Sequence, residues 1–381
     1  DSLSLMRAET LALERAPALA RERANVAAAS ERVVHEGRLP DPTLTLSAIN
    51  VPTDNFSLTQ DDMTMLGVGL RQAFPPGQTL DLRSRRAAAA LTRDEARLET
   101  ERRNVLRQVR RAWFDAYAAG RLLELHQEEK RVAQRDLDAA ESRYRAAQEA
   151  QRAVLRARST LARVHERESM LQAKLAQARA ALARFIGEAA YEGLPATPPA
   201  LEPPAEAFDA TQHPEYRAAA GDTETMATEV ALAREDYKPG YMVDVMYGVR
   251  ADRADMITAQ IGIDLPLFRA KRQDRRLAER ERLQDAASAS AEDKRRELMA
   301  MHDQTRAEHA ALRERLRLYE RELLPALRRE AAVTIAGFGR DQTELREARM
   351  RELEAHAEHI RLQTELAQTQ VELLYLTGDA P

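Results

Sequence analysis

At 381 residues the chain is about two to three times the size of an ordinary domain, so several domains or one very elongated unit are expected. Charged residues make up 31% and aromatics 4%, with 14 glycines and 16 prolines, a composition of long Ala/Arg/Glu/Leu helices rather than of a Rossmann or barrel enzyme. A net charge of −4 argues against a nucleic-acid partner, zero cysteines remove disulfides, thiolate metal sites and Cys nucleophiles, and no apolar run reaches the roughly 18 residues of a transmembrane helix.

The chain opens at Asp1 without a signal-like hydrophobic region, as a trimmed mature protein would. A first helix is expected over about 12–37. Leu44, Leu46 and Ala48, then Leu66, Val68 and Leu70, alternate with polar or small residues, which predicts strands at about 43–50 and 63–73 around a polar loop. Pro75-Pro76-Gly77 opens a helix that runs without a breaker to about 147. On it Val105, Val109, Ala112, Ala116, Ala119 and Leu123 keep the 4-3-4-3-4 spacing of a coiled-coil seam. A helical turn is expected near 147, and a returning helix runs to about 186.

Residues 193–212 form a Pro-rich linker, and its stretch from Gly193 to Pro199 and on to Pro203-Pro204 is stiff, extended and cannot be helical. Beyond it the pattern repeats. His213-Pro214 matches Ala16-Pro17, Pro239 matches Pro42, and Leu373 to Asp379 matches Leu182 to Glu188. The chain is therefore read as a first copy, 1–192, the linker, 193–212, and a second copy, 213–381. In the second copy Tyr241, Val243, Val245, Tyr247 and Val249 alternate with polar or small residues, and Ile257, Ala259, Ile261 and Ile263 follow, so strands are predicted at about 241–250 and 256–266. Leu312, Leu316, Tyr319 and Leu323 repeat the seam, Pro325 is expected to kink its helix, and a second turn falls near 337. In each copy the two shorter helices together match the long one, at roughly 100 Å. The turns should therefore lie about 100 Å from the strands.

The fold class is mainly α with a small β part: a duplicated unit of long coiled-coil helices plus a β-hairpin. Four strands cannot close a barrel, and a strand face of Val, Ile and Tyr has no partner in its own chain. A trimer would supply a twelve-stranded β-barrel above a twelve-helix α-barrel, with Tyr241, Val243, Val245, Tyr247, Ile257, Ile261 and Ile263 facing outer-membrane lipid. A soluble structural coiled-coil protein is the main competing reading, but it would not put such alternation on an exposed strand pair. An enzyme in a helical bundle is a distant third.

These features together resemble the TolC-type outer-membrane efflux channels, from about Leu11 to Gly378. The pieces that carry the resemblance are the His213-Pro214-Glu215 start, the Ile263-Asp264-Leu265-Pro266-Leu267-Phe268 strand exit and the Leu323-Leu324-Pro325 step. The turns Arg143-Tyr144-Arg145-Ala146-Ala147 and Ala336-Gly337-Phe338-Gly339-Arg340 add to it. In the family the turns read Tyr-x-x-Gly with a Leu eight residues beyond the glycine. Gly337 to Leu345 keeps that spacing, whereas Ala147 to Leu155 has alanine in place of glycine.

The resemblance implies a passive exit duct in the outer membrane of a Gram-negative cell, a homotrimer that meets a periplasmic adaptor and an inner-membrane pump of the RND type. It implies no enzyme activity and no cofactor. Adaptor docking would use the turns, at Arg145, Ala147, Arg152, Gly337 and Arg340. Glu149, Asp341 and Glu344 would narrow the closed aperture, bridged by arginines such as Arg340, Arg145 or Arg152. Short segments before Leu11 and after Gly378 look like the heavy-metal branch, whose cargo is metal cations, with a multidrug duct as the alternative. Many members carry a lipidated N-terminal cysteine, which this chain lacks.

His356 and His359, with Glu352 one turn before, have metal-ligand spacing, but chance placement on an Ala/Glu/Arg-rich helix is the better reading, and no metal site is assigned. Met63, Met65, Met242 and Met246 fall on the polar side of their hairpins, where soft copper or silver contacts are conceivable and packing is the simpler role.

Overall fold

The computed structural model describes residues 2–201, 207–336 and 342–378, with backbone only at 334–336 and 342–346. In chain order the elements are α1 (Leu5–Arg15), α2 (Pro17–Glu36), β1 (Thr43–Ile49), β2 (Met65–Phe74), α3 (Thr79–Arg145) and α4 (Gln151–Ile186). Then come α5 (Pro214–Glu235), β3 (Tyr241–Val249), β4 (Met256–Ile263), α6 (Gln273–Leu318), α7 (Leu324–Ala336) and α8 (Gln342–Thr377). A π-helical segment, Tyr319–Leu323, joins α6 to α7. No described helix is long and apolar enough to cross a membrane.

The chain divides into two compact units, each built from segments of both halves of the sequence. One comprises residues 21–99 and 214–296, the other 1–20, 100–213 and 297–381.

The first unit holds the sheet. All four strands are antiparallel in the order β1-β2-β3-β4, and the β2–β3 pairing, with Leu70 opposite Val245, joins the two hairpins directly. Its helices pack through small side chains, with Ala29, Ala87, Ala90, Val230 and Ala233 buried, which lets their backbones approach. Arg86 bridges Glu36 and Glu229 at 3.3 and 2.7 Å. At the entrance to α3 the buried Glu235 carboxylate accepts the Gln78 backbone N–H at 2.8 Å and the Lys238 ammonium at 2.7 Å. Gly77 makes this corner possible: its φ is +51°, and a Cβ there would collide with the Glu235 carboxylate.

The second unit is helical. Trp113 is fully buried, donates its indole N–H to the Leu3 carbonyl at 3.1 Å and stacks on Tyr117 with ring centres 5.6 Å apart. The linker is fastened here: the Leu3 N–H donates to Gly193 O, the Tyr117 hydroxyl to Ala196 O and the Gln370 amide to Leu201 O. Val105, Val109, Ala112, Ala116 and Ala119 of the first seam are buried. Leu312, Leu316 and Tyr319 of the second are only half-buried, and Leu323 is 44% exposed.

Two helices depart from expectation. The span 12–37 is two helices broken at Ala16, because Pro17 lacks an N–H and takes the first position of α2, where none is needed. Ahead of Pro325 the chain makes a π turn, with the Leu324 N–H bonding to Tyr319 O. The wider turn absorbs the hydrogen bond that the proline cannot donate.

Candidate functional site: the two-faced sheet and the helical turn

Period-two alternation across four registered strands sorts the side chains into two faces. On one lie Leu44 and Leu46 of β1, Leu66, Val68 and Leu70 of β2, Tyr241, Val243, Val245 and Tyr247 of β3, and Ile257, Ile261 and Ile263 of β4. Most of them are open: Leu46, Ile257 and Ile261 are each about three-quarters exposed. Burying such an area away from water is worth roughly 25 cal/mol per Å², so an aqueous surroundings is costly for it. Phe74 and Tyr241 stack at 4.9 Å at one end of this face.

The opposite face carries Thr45 and Ser47, Gly67 and Gly69, Met242, Asp244, Met246 and Gly248, and Thr258 and Gln260. Arg71 on β2 reaches Asp244 on β3 at 2.8 Å. Spacing within either strand alone did not expose this pair; the cross-strand register brings it together. Met63, expected on this face, lies in the turn before β2. Among the described residues β1 and β4 each have one strand neighbour, so both edges of the sheet offer unpaired backbone groups.

The turn between α3 and α4 is set by Ala147. Its φ is +57°, the conformation that favours glycine, and the Ala147 N–H donates to Tyr144 O at 3.0 Å while the Gln148 N–H donates to Arg143 O at 2.9 Å. This pair of bonds closes the helix end with alanine where glycine is the common residue. Ala140, Val154 and Ala157 pack behind it. Tyr144 and Leu155, 47% and 57% exposed, present apolar surface beside the turn.

Glu149 pairs with Arg143 at 3.6 Å. Arg145 donates instead to the Glu141 carbonyl, and Arg152 is exposed on the first turn of α4. Within the chain Glu149 thus faces Arg143 rather than Arg145 or Arg152, a pairing that only its position across the turn could have suggested. Gly337, Arg340 and Asp341 lie outside the described residues, as does the side chain of Glu344.

His359 Nε2 lies 2.8 Å from a Glu320 carboxylate oxygen, whereas His356 Nε2 is 4.0 Å from Glu352. Burial beside Arg328 holds the His356 pKa below its ordinary value. No three His, Asp or Glu among the described residues are arranged to hold a metal ion.

The family model described as outer membrane efflux protein matches residues 10–188. Through that segment the chain is similar to the outer membrane efflux protein family. Its place is the cell outer membrane. The whole fold is also similar to solved membrane proteins. A membrane protein from Pseudomonas aeruginosa has a TM-score of 0.83 at 16% identity, over 98% of this chain and 93% of that one. VceC from Vibrio cholerae gives 0.80 at 18%, over 99% and 96%. The open state of the MtrE channel of Neisseria gonorrhoeae gives 0.80 at 18%, over 98% and 89%. No curated protein matches the chain in sequence.

Proposed function

We propose that three copies of this chain form a passive exit duct, a twelve-stranded barrel in the outer membrane above a tube of helices, working with a periplasmic adaptor and an inner-membrane pump of the RND type. The observation that carries this reading is the sheet itself: one exposed apolar face, one polar or small face, and two unpaired edges. Joining the β4 edge of one copy to the β1 edge of the next would satisfy the backbone groups and turn Val245, Ile257 and Ile261 toward lipid. The half-bare seam of Leu312, Leu316, Tyr319 and Leu323 supports it, since a neighbouring copy would cover that side.

The turns at Arg145, Ala147 and Arg152, and at Gly337 and Arg340, are the adaptor-docking ends, and Glu149, Asp341 and Glu344 ring the aperture. A ring of three carboxylates attracts cations. The cargo is metal cations, a reading supported by the thioethers on the polar face of the sheet. The duct performs no chemistry.

The chain has no native cysteine, so engineered pairs report cleanly. Thr45→Cys combined with Thr258→Cys, Gln260→Cys or Gly262→Cys should, for one of the three pairs, oxidise to a covalent trimer in detergent. A chain that stays a dispersed monomer without detergent, with no pair crosslinking between copies, would overturn the assembly. Growth of a deletion strain on zinc, copper, silver and several drugs tests the cargo, and sensitivity to drugs alone refutes metal cations.

A further inference from the structure

Every methionine in the four strands, Met65, Met242, Met246 and Met256, lies on the polar face, while the apolar face is built from Leu, Val, Ile and Tyr. If methionine served only to fill space, either face would use it. Three of the four surround one cross-strand pair of glycines, Gly67 and Gly248. Met65 reaches from β2 toward β3, so that a methyl group added at Gly248 would sit 2.5 Å from its Sδ. Met246 reaches the other way, and a methyl at Gly67 would sit 2.7 Å from its Sδ. Met256 stands directly opposite Gly248 on β4.

The two glycines leave a floor without side chains, and the Met65 and Met246 sulfurs lie over it. Paired positions in an antiparallel sheet are about 4.5–5.5 Å apart at Cβ, so two thioethers, each touching one member of the pair, are within a rotamer change of a common point. Met65 is buried, at 7% exposure, and Met256 stands at 37%, which leaves the cluster one open side. The Ser47 hydroxyl donates to Met246 Sδ at 3.3 Å, fixing one sulfur from below. Thioether sulfur is a soft, uncharged donor, which suits monovalent copper or silver and suits zinc, magnesium or calcium poorly.

We propose that Met65, Met246 and Met256 form a binding site for a soft monovalent cation, Cu(I) or Ag(I). Its use as a stopping point for cargo rests on the reading of this face as the inner wall of the duct, whereas the binding chemistry rests on the sheet alone. Neutral ligands hold such a cation weakly enough to release it, as a conducting path requires.

The test is a silver titration of the full-length protein in detergent and chloride-free buffer, with methyl-labelled methionine observed by NMR. Of the 11 methionine methyl signals, assigned by single Met→Leu variants, those of Met65, Met246 and Met256 should move together and saturate at one silver per chain. Met246→Leu should weaken binding by about tenfold or more, the order lost when a metal site is damaged. Gly248→Ala, which removes no sulfur but places a methyl against Met65 Sδ, should do the same. Exposed Met6 or Met170 responding at the same silver concentration, or the three signals moving independently, would overturn the site. Circular dichroism and trimer elution matching the wild type keep the variants interpretable. Conductance in planar bilayers separates the two readings: conduction without silver binding removes the site, and silver binding without conduction removes the duct.

Discussion

Replacing Ala147 with glycine should stabilise the turn between α3 and α4. The alanine sits at φ +57°, where a Cβ costs roughly 1–2 kcal/mol against the following carbonyl. Its side chain is exposed, so removing the methyl sacrifices no packing. The extra freedom of glycine in the unfolded chain returns about 0.4–1 kcal/mol. The net gain is about 0.5–1 kcal/mol, which slows local opening about two- to fivefold. Arg143, Arg145 and Arg152 flank the turn, so limited trypsin digestion, with the cut sites identified by mass spectrometry, reads that opening directly. Cleavage after these three residues should slow by that factor, while cleavage elsewhere stays unchanged. Ala147→Val should accelerate it, because a β-branched side chain tolerates the conformation less well than alanine. A glycine variant cut as fast as the wild type would refute the strain argument.

Val245→Arg should cost roughly 2–4 kcal/mol per chain at mid-barrel and reduce membrane insertion, whereas Asp244→Asn on the other face should be mild; equal losses in trimer yield would mean the faces are assigned wrongly. Trp113→Ala should cost about 3–5 kcal/mol, since the ring is fully buried and its loss also strips the Leu3 carbonyl of its donor; a drop under about 1 kcal/mol in denaturant titration would refute this. The stability tied to His356 should be fully present above its unfolded pKa of about 6.5 and lost as pH falls below it, because burial keeps the folded imidazole neutral while the unfolded one takes a proton. His356→Gln should therefore flatten the fall in melting temperature between pH 7.5 and 5.5, and an unchanged slope would contradict it.

The strands and their faces could be read from sequence because alternation is a local property: Tyr241 to Val249 carries its own period. The proline effects were half legible. Pro17 marked a helix start that periodicity alone ran through, and Pro325 announced a disturbance without saying that it would take the form of a π turn. Pairings between distant segments were not legible. Nothing within β2 indicates that Arg71 meets Asp244, and nothing in Met65 or Met246 alone points to the glycines beneath them. These contacts depend on register, which strand composition leaves open. Ala147 shows the converse limit. The family pattern asks for glycine there, and the backbone keeps the glycine conformation although the sequence does not supply it.

The pairing of β2 with β3 also sets an order of events. Leu66 lies opposite Val249, so the first hairpin gains its neighbour only after α3, α4 and α5 have been made and brought round. Closing so long a loop is slow compared with forming a local hairpin. Until then the backbone edge of β2 stays unpaired beside Leu44, Leu46, Leu66, Val68 and Leu70, which are exposed even in the folded chain. The first hairpin is therefore the part that depends on protection during folding, and slowing the arrival of β3 would raise aggregation through residues 43–74 rather than through the helices.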